Sequence, residues 1–160
     1  MYSLLLEDFK LNSFRSFLIL FFYRVINYVY TKKIYFLVSI LNFVFNIIKV
    51  LFSIQLQISY KAKIGNKIRL PHVGFGVVIS AKAIIGNNVT IYHLVTIGIN
   101  EFKCNKNDAV CVEIGDGCYL STGAKIISSK VGENSIIGPN AVVFKDIGKN
   151  SKVFNEVSCT

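Results

Sequence analysis

From Ile58 to Val143 an aliphatic side chain returns every six residues. It stands at Ile58, Ile64 and Leu70, then at Ile79, Ile85, Ile91 and Ile97. The series resumes at Ile114, Leu120 and Ile126, slips by one residue, and continues at Val131, Ile137 and Val143. Glycine follows the aliphatic at Gly65, Gly86, Gly98, Gly115, Gly132 and Gly138. A second small or branched residue comes four places on at Val89, Val95, Ala124, Ser135 and Ala141. A period of six matches neither a helix, at about 3.6, nor a simple strand, at about 2. It matches a parallel β-helix, in which each rung is a short strand and a turn, and three rungs close a triangular coil of about 18 residues. The aliphatic then points inward and stacks on its neighbours above and below. The glycine is expected to permit a tight corner with φ > 0. Thirteen ladder positions are hard to reconcile with a plain all-β domain whose turns merely happen to be even.

The ladder vanishes between Ile97 and Ile114, where Glu101, Lys103, Lys106 and Asp108 make the chain polar. Residues 99–112 are expected to form an excursion loop thrown out from one corner, the kind of segment that builds sites on rigid scaffolds. Residues 58–147 form the β-helix in this division. Residues 148–160 are a tail that leaves it after Lys145-Asp146-Ile147 and folds back along it.

Residues 1–57 read as helices. Apolar residues cluster from Phe14 to Tyr30, Thr31-Lys32-Lys33 forms a polar joint, and a second apolar run covers Ile34 to Ile48. That second run is shorter than the ~20 residues a spanning helix needs, although Val50 to Ile54 could extend it. Three readings stay open: a cap packed on the β-helix or on sister subunits, a helix pair lying on the inner membrane surface, and a membrane span.

Composition narrows the classes. The 160 residues suit one domain with an appendage. The net charge of +9 favours phosphate-bearing ligands or anionic lipid. No basic stripe interleaves with aromatics in the ladder, so nucleic acid is not expected. The cysteines at 104, 111, 118 and 159 make no C-x-x-C pair, which argues against zinc, and free thiols in a cytoplasmic protein are expected. The N-terminus lacks a basic n-region and a cleavage site of small residues.

The chain has two histidines, His72 and His93, each two places after a ladder residue, Leu70 and Ile91. Three rungs separate those ladder residues, with a few extra residues inserted before Ile79. Both histidines therefore fall on one face of successive coils, about 4.8 Å apart in rise. The spacing predicts neighbouring imidazoles, suited to proton transfer near neutral pH. A pair of surface histidines is the plainer alternative. No carboxylate at ladder spacing completes a metal set, so no metal is expected.

The ladder, with Leu70-Pro71-His72 followed by Gly76-Val77-Val78-Ile79, resembles the hexapeptide-repeat acyltransferases, and most of all the serine acetyltransferases and their sugar O-acetyltransferase relatives. Further matching segments are Val95-Thr96-Ile97-Gly98, Ile114-Gly115-Asp116, Gly123-Ala124-Lys125-Ile126 and Val142-Val143-Phe144-Lys145-Asp146-Ile147. The resemblance is strong over about residues 55–155. It implies a left-handed parallel β-helix, a homotrimer with active sites in the grooves between subunits, and acetyl-CoA lying along each groove. It makes His72 the general base that takes the acceptor hydroxyl's proton, with His93 as a polar partner beside the thioester. It places Gly98, Thr122, Ala124, Pro139, Phe144 and Lys145 along the cofactor.

Three departures from the family pattern bear on the acceptor. The aspartate that holds the base in serine acetyltransferases is Gln57, which can fix the tautomer but cannot stabilise an imidazolium by charge. The aspartate directly before the base is Pro71. The arginine and histidine that serve serine's carboxylate fall on Val110 and Cys111, and the only arginine of the ladder domain is Arg69. The sequence reading is therefore O-acetylation of a sugar hydroxyl in surface-polysaccharide assembly, in the cytoplasm at or near the inner membrane face. Serine O-acetylation is the alternative, and a non-catalytic trimeric scaffold is the reading from another class.

Overall fold

A computed structural model describes residues 2–105 and 107–154 of the chain. Three helices come first: α1 (Tyr2–Leu11), α2 (Phe14–Thr31) and α3 (Tyr35–Leu51). Ser13 caps α2, its Oγ accepting from the Ser16 N–H at 3.3 Å. The Thr31–Lys33 joint becomes the turn between α2 and α3, with Lys33 left-handed at φ 62°.

The remaining chain winds into three parallel sheets. The first holds β1 (Gln57–Ile58), β3 (Val78–Ile79), β6 (Thr96–Gly98), β9 (Lys125–Ile127) and β12 (Val142–Val143) in that order. The second holds β2 (Lys63–Ile64), β4 (Ala83–Ile85), β7 (Val112–Ile114) and β10 (Lys130–Val131). The third holds β5 (Thr90–Ile91), β8 (Tyr119–Leu120), β11 (Ile136–Ile137) and β13 (Lys152–Val153). The ladder aliphatics are the stacked partners. Ile58, Ile79, Ile97, Ile126 and Val143 form one column, and Ile64, Ile85, Ile114 and Val131 a second. Leu70 enters the third column above Ile91 through the Arg69–Thr90 bridge. These columns form one continuous core, so each rung stabilises the rung beneath it.

Two expectations need correction. The tail does not fold back: Ile147 bridges to Val131 and β13 pairs with β11, so the chain completes another turn of the coil. Residues 155–160, and with them Cys159, lie outside the described residues. The glycines after the ladder aliphatics are not the left-handed residues. The left-handed seat comes two positions later in the corner, three after the aliphatic, at Lys67, Asn88, Gly117, Asn134 and Asn150 on one edge and at Val73, Leu94, Gly123 and Asn140 on another. The ladder glycines instead serve close stacking of corners. A Cβ on Gly86 would stand 2.8 Å from the Asp116 nitrogen and 2.9 Å from the Gly115 carbonyl carbon, both backbone atoms of the next coil.

The helices cap the first coil, as one of the three readings required. Its outer strand edge would otherwise present bare carbonyls. Helix α2 supplies donors to them: Tyr23 to Ala62 O at 2.7 Å, Asn27 to Tyr60 O at 2.8 Å, and Ser16 to Leu70 O at 2.8 Å. Arg24 reaches Ile64 O and Gly65 O, both at 2.5 Å, and its Nε donates to the fully buried Asp8 at 3.1 Å. Burial pushes the Asp8 carboxyl above its ordinary pKa, an effect the Arg24 charge only partly offsets. No helix among the described residues is long and apolar enough to cross a membrane.

Candidate active site

The site begins where the coil is interrupted. The two histidines are 21 residues apart rather than the ~18 of an undisturbed coil, and the extra residues form a tight irregular turn around Pro71–Gly74. His72, Val73, Gly74 and Gly76 are all left-handed, with φ of 54°, 61°, 58° and 66°. A β-branched residue rarely adopts that conformation, so Val73 marks a strained corner held by its surroundings. The surroundings are visible: Gly76 N donates to Gln55 O at 2.5 Å, and Leu94 N donates to Phe75 O at 2.7 Å.

This corner projects the exposed His72 over His93. Their ring centroids lie 5.0 Å apart with planes at 83°, as the spacing of the sequence predicts. Tyr92 lies 6.0 Å from His72. His93 is half-buried, and its Nε2 is 2.7 Å from Thr122 Oγ1 on the next coil. The same hydroxyl lies 3.3 Å from the His93 carbonyl oxygen. One hydroxyl hydrogen serves one of these two acceptors, and the imidazole tautomer follows that choice. In either case Nδ1 of His93 is buried with no hydrogen-bond partner among the described residues. An orphaned polar atom beside an exposed imidazole is a position for a ligand group.

His72 lines a cavity of about 160 Å³ together with Arg15, Phe52, Gln55, Val73 and Phe75. Arg15 is the residue that sequence reasoning missed. It lies far from the ladder, at the start of α2, and no spacing rule links it to His72. The cap brings it there, because Ser16 and Asn12 on either side of it bond Leu70, two residues before the histidine.

Gln57 lies elsewhere. It is exposed on β1 and lines a neighbouring cavity with Lys49, Gln55, Gly76 and Val78. Its N–H is used on Val77 O at 2.8 Å, and no hydrogen bond joins its side chain to His72. Among the described residues the Gln57 side chain makes no such tautomer-fixing contact with His72. Gln55, not Gln57, lines the cavity with His72.

The residues expected along a cofactor separate into two groups. Thr122 joins the histidines. Gly98 on β6, Ala124 before β9 and Phe144 after β12 belong to the first sheet, with Ala124 buried and Phe144 exposed. Pro139 and Lys145 are exposed. The excursion loop adds a contact not foreseen: Lys103 Nζ donates to Phe144 O at 3.2 Å. The loop also corrects the expectation of free thiols, since Cys104 and Cys111 are disulfide-bonded with Cα atoms 5.8 Å apart. Cys104, Asp108 and Cys111 place ligand atoms within 4.8 Å of one another, but the S–S bond leaves neither sulfur as a thiolate to hold a metal. Cys118 is a buried free thiol whose pKa burial pushes up.

No protein-family model matches the chain. The serine acetyltransferase of Bacillus subtilis (strain 168) is 35% identical over 132 residues, which is 82% of this chain and 57% of that protein. A soybean serine acetyltransferase solved in complex with serine superposes with a TM-score of 0.72 at 29% identity, covering 89% of this chain and 56% of that one. A serine acetyltransferase solved in complex with CoA superposes with a TM-score of 0.70 at 26% identity, covering 88% of this chain and 54% of that one. The chain thus spans little more than half the length of the relatives it matches. The six-residue ladder, the histidine-bearing corner and these similarities place the chain in the hexapeptide-repeat acyltransferase family, as a relative of the serine acetyltransferases.

Proposed function

We propose that this chain transfers the acetyl group of acetyl-CoA to the hydroxyl of serine or a closely similar hydroxy amino acid. The observation that carries the reading is a single cavity shared by His72 and Arg15. His72 takes the hydroxyl proton, the freed oxygen attacks the thioester carbon, and the tetrahedral intermediate collapses to ester and CoA thiolate. The imidazolium then returns its proton to the sulfur. Arg15 pairs with the acceptor's carboxylate, a role the sequence alone could assign to no residue. The orphaned Nδ1 of His93 meets a polar group of the bound substrates, and Thr122 sets that ring's orientation. Acetyl-CoA runs along the first sheet past Gly98, Ala124 and Phe144, with Lys103 and Lys145 near its phosphates. The similarity to a relative solved with CoA supports this placement.

The working form is a homotrimer in the cytoplasm. Phe75 and Leu94 are 47% and 48% exposed beside the histidines, and a neighbouring subunit or the pantetheine arm would cover them. A sugar hydroxyl is the second reading. It is favoured by Val110 and Cys111 where the family pattern has an arginine and a histidine, with Cys111 tied into a disulfide.

Acetyl-CoA consumption with serine and with a panel of sugars separates the two. The expected result is turnover with serine, a loss of roughly 10²–10⁴ in kcat for His72→Asn, and a KM for serine raised about tenfold by Arg15→Met with the KM for acetyl-CoA little changed. Turnover with sugars alone overturns the serine reading. No turnover with any acceptor, together with no CoA binding by calorimetry, makes the chain a scaffold.

A further inference from the structure

Helix α3 is apolar on two opposite sides. One side packs inward: Val38 and Phe45 are buried, and Phe45 stacks on Phe22 of α2 at 5.0 Å. The other side carries Phe36, Ile40, Phe43, Ile47 and Val50 at alternating spacings of four and three, the repeat of a helical stripe. That stripe is bare, with Phe36, Phe43 and Val50 exposed at 80%, 67% and 79%. Next to Val50, Leu51 is 74% exposed. Monomer surfaces rarely leave so continuous an apolar strip without a partner.

Charge identifies the partner. No aspartate or glutamate occurs between Asp8 and Glu101, while eleven lysines and arginines do. Lys32 and Lys33 stand exposed at the turn entering α3, and Lys49 lies near its other end. A second copy of this surface would bring like charges together around the stripe with no acid to answer them. An anionic bilayer complements both features, taking the stripe into the headgroup boundary and the lysines onto its phosphates. At 17 residues the helix is too short to cross, so it lies along the surface.

We infer that α3 docks this protein on the surface of an anionic membrane, with Phe36, Phe43 and Val50 inserted and Lys32 and Lys33 on the headgroups. This goes beyond acetyl transfer and does not depend on it. The test is co-sedimentation of the full chain with vesicles of phosphatidylcholine containing about a quarter phosphatidylglycerol. Binding is expected there, and about tenfold or more weaker binding to pure phosphatidylcholine or in about 1 M salt. The triple variant Phe36→Ser/Phe43→Ser/Val50→Ser should lose about tenfold or more of the binding. Should that variant fold poorly by circular dichroism, Lys32→Glu/Lys33→Glu, confined to an exposed turn, should weaken binding by a similar factor. Absence of binding, or equal binding to neutral vesicles, overturns the inference. So does a triple variant that sediments as a smaller assembly than the parent, because the stripe would then be an interface between copies of the chain.

Discussion

Replacing Arg24 with methionine should be among the most damaging single changes outside the β-helix core, and the reason is the carboxylate it leaves behind. Asp8 is fully buried, its Oδ2 accepts from Arg24 Nε at 3.1 Å, and the Ile68 backbone also helps to hold its charge. Removing the guanidinium strands that carboxylate and also strips the carbonyls of Ile64 and Gly65 of their donors. Breaking a buried pair from one side costs about 3–5 kcal/mol, a large part of the ~5–15 kcal/mol that a domain has in total. For a chain of this size the melting temperature should fall by roughly 6–20 °C. The double variant Asp8→Leu/Arg24→Met removes both charges and should recover about 1–3 kcal/mol of that loss, a coupling measured by a double-mutant cycle in urea at fixed protein concentration.

The pH dependence supplies a second readout. Burial already raises the Asp8 pKa, and Arg24 is the group that holds it down, so Arg24→Met raises it further. A carboxyl whose folded pKa is raised contributes stability below its unfolded value, near 3.8, and loses it as pH rises through the folded value. The deficit of Arg24→Met should therefore be smallest near pH 4 and grow towards neutrality. Because α2 also carries Arg15, the variant should raise the KM for serine more than the KM for acetyl-CoA. A loss under about 1 kcal/mol, strict additivity in the cycle, or a deficit that grows in acid would refute the reasoning.

Three further changes probe other parts of the chain. Tyr23→Phe removes a buried hydroxyl bonded to Ala62 O and should cost about 1 kcal/mol. Burial pushes the Tyr23 phenol to about 12, so the parent should lose stability as pH rises from 10 towards 12, and the phenylalanine variant should lack that limb in an alkaline denaturation series. Gly86→Ala forces a Cβ against the backbone of Gly115 and Asp116, which cannot move aside like a side chain, and should cost about 1–3 kcal/mol by thermal melting. Thr122→Val leaves His93 Nε2 without its partner and should lower kcat about 2–15-fold, with thermal stability changed far less, in steady-state assays with saturating acetyl-CoA.

The β-helix was legible because its determinant is local and repeated. A residue at ladder spacing such as Ile97 faces the same environment as Ile79 before it and Ile126 after it, so one period fixes the register of all three. The same rule carried His72 and His93 to within 5.0 Å, since an insertion between them moves the corner without changing the face. What was not legible depends on contacts the period does not encode. Arg15 reaches the His72 cavity only because Asn12 and Ser16 dock α2 onto Leu70, a contact across more than fifty residues of sequence. Gln57 has the family's offset from His72, yet it lines a neighbouring cavity rather than the one that His72 lines, a placement the period does not encode. Asn134 and Asn150 show why the glycine reading failed: asparagine tolerates the left-handed conformation, so the true left-handed seat need not be glycine.

The cap and the site are two outcomes of one constraint. A coil stacked on nothing leaves a row of carbonyls at its open end, and each must find a donor. Helix α2 and its N-terminal approach meet this need with side chains rather than another strand: Asn12, Ser16, Tyr23, Arg24 and Asn27 all donate to backbone oxygens between residues 60 and 70. Side-chain donors fix the helix at one rotation and one height, which a sliding apolar contact alone would not. The price of that fixity is Asp8, a carboxylate whose burial disfavours its charged form. Its benefit is that the first turn of α2 arrives over a corner of the coil where strain, an exposed imidazole and the orphaned His93 Nδ1 occur together. The cation at the cavity wall and the base on its floor are thus positioned by the same set of bonds that closes the sheet edge. Loosening those bonds should disturb acceptor binding before it unfolds the coil.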